Sequence, residues 1–158
     1  MNASVNNRLS KPISTSSGFT LIELMVTIAV LAIIVGIAAP SISTQLANQR
    51  VKSTTATLAN ALKEAKAESI IRRQSITFTY NNNGTNAGNI NIANISSYSY
   101  SDRSTITDSE SKNPITFLPS KRVESNIYTI CDDNAAATAR QVSVSKLANI
   151  SIKSGGTC

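Results

Sequence analysis

A single carboxylate, Glu23, stands in the apolar run Leu21–Ala39, which otherwise carries no charge and almost no polar group. At membrane depth a carboxylate costs roughly 2.5–3.5 kcal/mol on insertion scales, so such a group needs a partner and marks a function. Few other residues could do chemistry. Histidine and tryptophan are absent, and the cysteines are two, Cys131 and Cys158. Without histidine there is no Ser-His-Asp or Cys-His catalysis. A histidine-containing zinc site is excluded, and two cysteines cannot form a four-cysteine site. No Gly-rich phosphate loop of the GxxxxGK[ST] or GxGxxG kind occurs. This inventory argues against an enzyme and calls for no metal and no cofactor.

The chain around these residues has 158 residues, enough for one domain. Charged residues make up 15% and apolar residues 41%, unevenly placed. A soluble domain usually has about 25% charged residues. Outside the apolar run the sequence is rich in Ser, Thr and Asn. The 15 Lys+Arg against 9 Asp+Glu give a net charge of +6.

Leu21–Ala39 is 19 residues, about 28 Å as a helix and close to a ~30 Å hydrocarbon core. Residues 1–18 are polar and carry Arg8 and Lys11 with no acid. That positive flank is expected to stay cytoplasmic, with the rest of the chain outside. A secretory signal peptide has a shorter apolar region, about 7–15 residues. A simple anchor fits the length, yet neither reading accounts for Glu23. The residues alone leave an anchor, a signal peptide and an unusual processed segment open.

The run Gly18-Phe19-Thr20-Leu21-Ile22-Glu23, followed by an apolar helix, resembles the processing site of type IV pilins and type II secretion pseudopilins. The resemblance implies cleavage by a prepilin peptidase between Gly18 and Phe19, then methylation of the new amine on Phe19. Gly18 leaves room for close backbone approach at the cut. The resemblance also implies that Glu23 pairs with the N-terminal amine of a neighbouring subunit, a use of a buried charge to set register. The family's helix-bending proline falls on Pro40, which lacks an N–H and is expected to bend or break the helix. The expected parts are a leader (1–18), a membrane and filament-core helix (19–40), and an amphipathic helix with a β-sheet head (41–158).

From Ser41 to about Gln74 the sequence is helix-compatible. Ala47, Val51, Thr54, Leu58, Ala61, Leu62, Ala65 and Ser69 recur at spacings of three and four, which is one helix face. Arg50, Lys52, Lys63, Glu64, Lys66 and Glu68 lie on the other side and read as a solvated face. From Ser75 the period becomes two. Ser75–Tyr80 alternates, and Asn81–Gly84 is a turn. Asn89–Ile95 alternates again, with Ser96–Tyr100 as a continuation. Asp102–Asn113 reads as a loop. Ile115–Leu118, between Pro114 and Pro119, is an edge strand at best. Asn126–Cys131 is a strand, and Gln141–Ser145 with Asn149–Lys153 form a terminal hairpin. The fold class expected is α+β, a long N-terminal helix on a mostly antiparallel sheet.

The stretch from Arg50 to Ile76, the late Cys131, the Arg140–Ser145 strand and the terminal Cys158 are similar to the FimT/FimU/GspH-type minor pilins. That resemblance puts the head outside the cytoplasm, where disulfides persist. A Cys131–Cys158 bridge would close a loop of about 28 residues, worth about 3.5 kcal/mol in the chain-entropy model. Two free thiols are the alternative.

Loss of Arg8 and Lys11 with the leader leaves 13 Lys+Arg against 9 acids. Excess positive charge could attract DNA phosphates, or serve solubility. Lys121, Arg122, Arg140, Lys146 and Lys153 are the candidates, gathered near the terminal hairpin. Some FimT-type proteins carry Gly-Arg-x-Arg near the C-terminus. Ala148-Asn149-Ile150-Ser151 occupies the matching place here, without the Gly or either Arg. That departure argues against DNA capture by the family's route. The resemblance thus implies a minor type IV pilin that primes or caps pilus assembly. A GspH-type pseudopilin and a DNA-binding competence pilin are the alternatives. The implied partners are the prepilin peptidase, other pilins along the N-terminal helix, and the inner membrane before incorporation into an extracellular filament.

Overall fold

The computed structural model describes residues 18–158, without the side chains of 38–41. Helix α1 (Leu21–Ile71) precedes eight strands: β1 (Ile76–Asn81), β2 (Gly88–Ile92), β3 (Ser96–Tyr100), β4 (Ser104–Asp108), β5 (Ile115–Phe117), β6 (Asn126–Asp132), β7 (Arg140–Val144) and β8 (Ile150–Ser154). The chain divides into two compact units at Ala38/Ala39. The first ends in the apolar part of α1. The second, the head, holds the rest of α1 and every strand.

In the head the strands form two four-stranded sheets, ordered β3-β2-β1-β5 and β4-β6-β7-β8, and every pairing is antiparallel. The α+β expectation therefore holds, with two sheets. All eight residues of the helix face inferred from spacing are buried, Ala47 through Ser69. Two buried hydroxyls of the helix are satisfied close at hand: Ser69 of this face donates to the Lys66 carbonyl (2.8 Å), and the neighbouring Thr55 donates to the Val51 carbonyl (2.6 Å). Such local bonds let polar residues be buried at little cost. Phe78 of one sheet and Tyr128 of the other meet edge-on with ring centres 6.1 Å apart, and Tyr80 meets Tyr128 at 5.8 Å. These rings tie the two sheets into one core with Leu58, Leu62, Ile90, Ile92, Ile106 and Ile130.

Several expectations need correction. Ser96–Tyr100 does not continue the preceding strand. The chain turns at Asn94, whose φ is 60°, and β3 pairs back on β2. Asn tolerates this left-handed conformation better than most residues. The supposed loop Asp102–Asn113 contains β4, which pairs with β6 from Ser104↔Asp132 to Asp108↔Tyr128. Ile106 is its one large apolar anchor and is fully buried. Flanking acids hid the short Ser-Thr-Ile-Thr alternation. Helix α1 stops at Ile71, short of Gln74, because Arg73 takes a φ of 54°. The helix does not break at Pro40, since its helical span runs through that residue. Ile115–Phe117 is the edge strand expected, and β7–β8 is the terminal hairpin, one residue off the inferred bounds at each strand.

The charged side of the helix is not simply solvated. Arg50 makes a two-pronged bond to Asp132 at the end of β6, 2.8 Å on each arm. Glu64 accepts hydrogen bonds from Ser96 and Tyr98 of β3. Lys66 donates to the Ala148 carbonyl in the β7–β8 turn, 2.8 Å. Three of the six charged residues therefore fasten the helix to both sheets, because charges flanking a buried stripe lie within reach of the sheet rims.

Candidate functional site

The first unit's chemistry is concentrated at its start. Thr20 precedes the helix and caps it: its Oγ1 accepts from the Glu23 N–H at 3.3 Å, and its carbonyl accepts from the Leu24 N–H at 3.2 Å. Thr20-Leu21-Ile22-Glu23 has the spacing of a capping box. The sequence reading missed this role, although the Thr-x-x-Glu signal was visible. The cap fixes where the helix begins, with Glu23 in its first turn. Phe19 is 83% exposed. Gly18 has open space around it.

From Leu21 to Ile37 every large apolar side chain is at least half exposed. This segment is long and apolar enough to cross a membrane. Thr27 satisfies its hydroxyl on the Leu24 carbonyl (2.8 Å), which lets a polar residue sit in an apolar helix. Glu23 is the only titratable side chain between Gly18 and Ile37. A counter-charge for it must come from outside that segment. Residues 1–17, with Arg8 and Lys11, and the Pro40 side chain lie outside the described residues.

In the head, Cys131 of β6 and Cys158 are joined as a disulfide, with Cα atoms 5.8 Å apart. The free-thiol alternative falls away. After β8 the chain bends through Gly155 (φ 111°) and Gly156 (φ 122°). Gly155 N–H donates to the Ala139 carbonyl at 2.9 Å. A Cβ on Gly156 would sit 2.9 Å from Thr129 Cγ2 and 3.2 Å from Gln141 Cγ. The tail thus crosses β7 and reaches β6 over the sheet face away from the helix. Only glycine allows both that backbone and that approach.

Nearby, Asp132 is held by more than one group. Burial pushes its carboxyl up, but the bonds from Arg50 and from the Asn134 N–H outweigh this, and the net position is below the ordinary aspartate value. Asp133 bridges Arg103 at 2.8 Å and lies 3.8 Å from Arg50. The arrangement is a charged clasp between α1, the β3–β4 turn and β6.

Three of the five candidate DNA-contacting residues gather and two lie elsewhere. Arg122 and Lys146 line one groove, and Lys121 sits beside it in the turn after β5, with φ 60°. Arg140 opens β7, at the strand end away from Lys146, and lines a separate polar hollow with Gln45, Asn48 and Lys52. Lys153 lies opposite Gln141 on the outer sheet face. The register of a flat sheet puts Arg140 and Lys153 on opposite faces. Ala148 adopts φ 52° in the β7–β8 turn, a conformation in which glycine would be unstrained.

A capped apolar helix with one acid, leading into a helix-on-sheet head, defines a pilin-like protein. The prokaryotic N-terminal methylation motif matches residues 13–39. The family of the type II transport protein GspH matches residues 54–148, and the chain belongs to that family. Two crystal structures of the Pseudomonas aeruginosa type IV minor pilin FimU share the fold. Their TM-scores are 0.57 and 0.58 at 18% and 17% identity. They cover 68% and 70% of this chain and 98% and 96% of their own. No curated protein sequence matches the chain. Family membership implies processing by a prepilin peptidase at the methylation motif and association with other pilins.

Proposed function

We propose that this chain is a minor type IV pilin, a structural subunit that primes or caps a filament. The observation that carries this reading is the pairing of an uncovered apolar helix, charged only at Glu23, with a complete head of the kind seen in FimU. In this reading the precursor sits in the inner membrane as a single-pass protein with its head in the periplasm. The peptidase cuts after Gly18, and Phe19 is N-methylated. Glu23 then accepts the ammonium of a neighbouring subunit. Pairing two buried charges removes the penalty that either would bear alone in lipid, and only one axial register allows it. The role is architectural, with no catalysis and no cofactor.

A second reading is favoured by the GspH family match: a pseudopilin of a type II secretion system, with the same processing and the same use of Glu23. The DNA-binding competence reading has less support, since its candidate cations are split between two ends and two faces of the sheet. Gene deletion separates the first two. Loss of surface pili with intact exoprotein secretion supports the minor pilin, and the opposite pattern supports the pseudopilin. Intact mass of the native protein tests the processing: a chain beginning at Phe19 with one added methyl is expected. Replacing Gly18 with a bulky residue should leave the uncut precursor, and normal processing of that variant would overturn the cleavage assignment.

A further inference from the structure

One surface of the head is left unused by helix-mediated assembly. Beyond β5 lies an open groove of about 820 Å³, walled by Pro114–Thr116 on one side and by Val123 and Leu147 on the other. Leu118 is 40% exposed and Leu147 is 73% exposed. Two large apolar side chains thus face water beside the same hollow. Arg122 and Lys146 stand on its walls. Lys112 and Glu124 line it as well; Lys112 pairs with Glu110 at 2.6 Å and lies 4.0 Å from the exposed Glu124, so the lining carries three cations and one acid. Among the described residues neither Arg122 nor Lys146 has an ion-pair partner. Among the described residues the groove therefore offers two exposed leucines, an excess of positive charge and two cations without an ion-pair partner.

The third feature is the backbone. β5 ends its sheet, paired with β1 from Ile76↔Phe117 to Phe78↔Ile115. Among the described residues, Ile115–Phe117 make no main-chain bond outside that ladder. An edge strand with free N–H and C=O groups is a template for a further strand. Pro114 and Pro119 bracket it, so an added strand could pair over only a few residues. Side chains must then supply most of the affinity and the selectivity.

From these three features together, we infer that the groove beside β5 captures a short extended segment of another protein, with acidic and apolar residues in alternation. Its backbone adds to the β5 edge. Its apolar side chains cover Leu118 and Leu147. Its carboxylates meet Arg122 and Lys146. This inference goes beyond the helix-driven assembly proposed above and does not depend on whether the machine is a pilus or a secretion system.

The test uses the whole chain in detergent micelles and a fluorescein-labelled peptide of alternating Val and Glu, read by fluorescence anisotropy. Saturable binding is expected, weakening at least about tenfold in the Arg122→Glu/Lys146→Glu double variant. Both positions are exposed, so the double variant should fold, as an unchanged circular dichroism spectrum would show. A peptide N-methylated at alternate residues on the pairing edge should also bind at least about tenfold more weakly. No saturable binding of the acidic peptide would overturn the proposal. So would equal affinity for a Val-Lys peptide, or indifference to N-methylation. Binding of duplex DNA in place of the peptide, lost in the same double variant, would make the groove a phosphate site and likewise overturn it.

Discussion

At the scale of single residues, one ion pair and one lone carboxylate decide most. Arg50 and Asp132 form a two-armed bond, and the Asp132 side chain is fully buried. Removing one partner of such a pair strands the other. Arg50→Met should therefore cost about 2–3 kcal/mol at neutral pH, read from urea unfolding of the head. The pH dependence has a definite sign. The folded Asp132 value lies below the ordinary one. Its contribution is complete above the unfolded aspartate value of about 3.9 and is lost as pH falls through the folded value. Stability of the natural chain should hold down to about pH 4 and then drop. In Arg50→Met the stranded carboxylate gains by protonation, so the deficit should shrink on acidification. A deficit that stays constant with pH would refute the clasp. Glu23 is the lone carboxylate. Glu23→Ala should be inserted and cut, yet incorporate poorly into filaments; normal incorporation would remove its register role.

The elements show where sequence patterns carry structure and where they do not. The three-and-four spacing from Ala47 to Ser69 was legible because a helix has one buried stripe and the stripe is long. β4 was not legible, since five residues with one Ile give too short a period-two signal between acids. The solvated reading of Arg50, Glu64 and Lys66 failed for a different reason. Local sequence shows that a charge flanks the stripe, but not which sheet rim lies across from it. The C-terminal tail is held by the Cys131–Cys158 bond and by the Gly155-Gly156 bend. Changing both cysteines to Ser should lower head stability by about 3.5 kcal/mol. Gly156→Ala should cost about 1–3 kcal/mol, because its φ of 122° is strained for any side chain. Thermal unfolding of the two variants checks both figures. A neutral Gly156→Ala would show that the tail does not need this bend.

Taken whole, the molecule puts its two solubilities in different units. Among the described residues nothing covers the apolar stretch to Ile37, whereas the head buries a continuous core. An uncovered apolar surface of that extent is insoluble without lipid, detergent or a neighbouring helix. A fragment of residues 46–158 should therefore remain soluble and monomeric without detergent, while the longer chain should sediment. Sedimentation of the fragment as well would mean that the head exposes more apolar surface than the structure shows.

The sequence by itself determined the N-terminal methylation motif, the membrane-length helix, the buried face of its continuation and the α+β class. Each of these is a local property: a contiguous motif, a run length or a period along one element. Only the tertiary structure decided that the strands divide into two sheets, that Arg50 meets Asp132 and that the basic residues scatter. It also decided that an edge strand, two leucines, Arg122 and Lys146 border one groove. Those facts depend on residues far apart in the chain meeting in space, and a single sequence does not encode such meetings in any pattern that can be read along it.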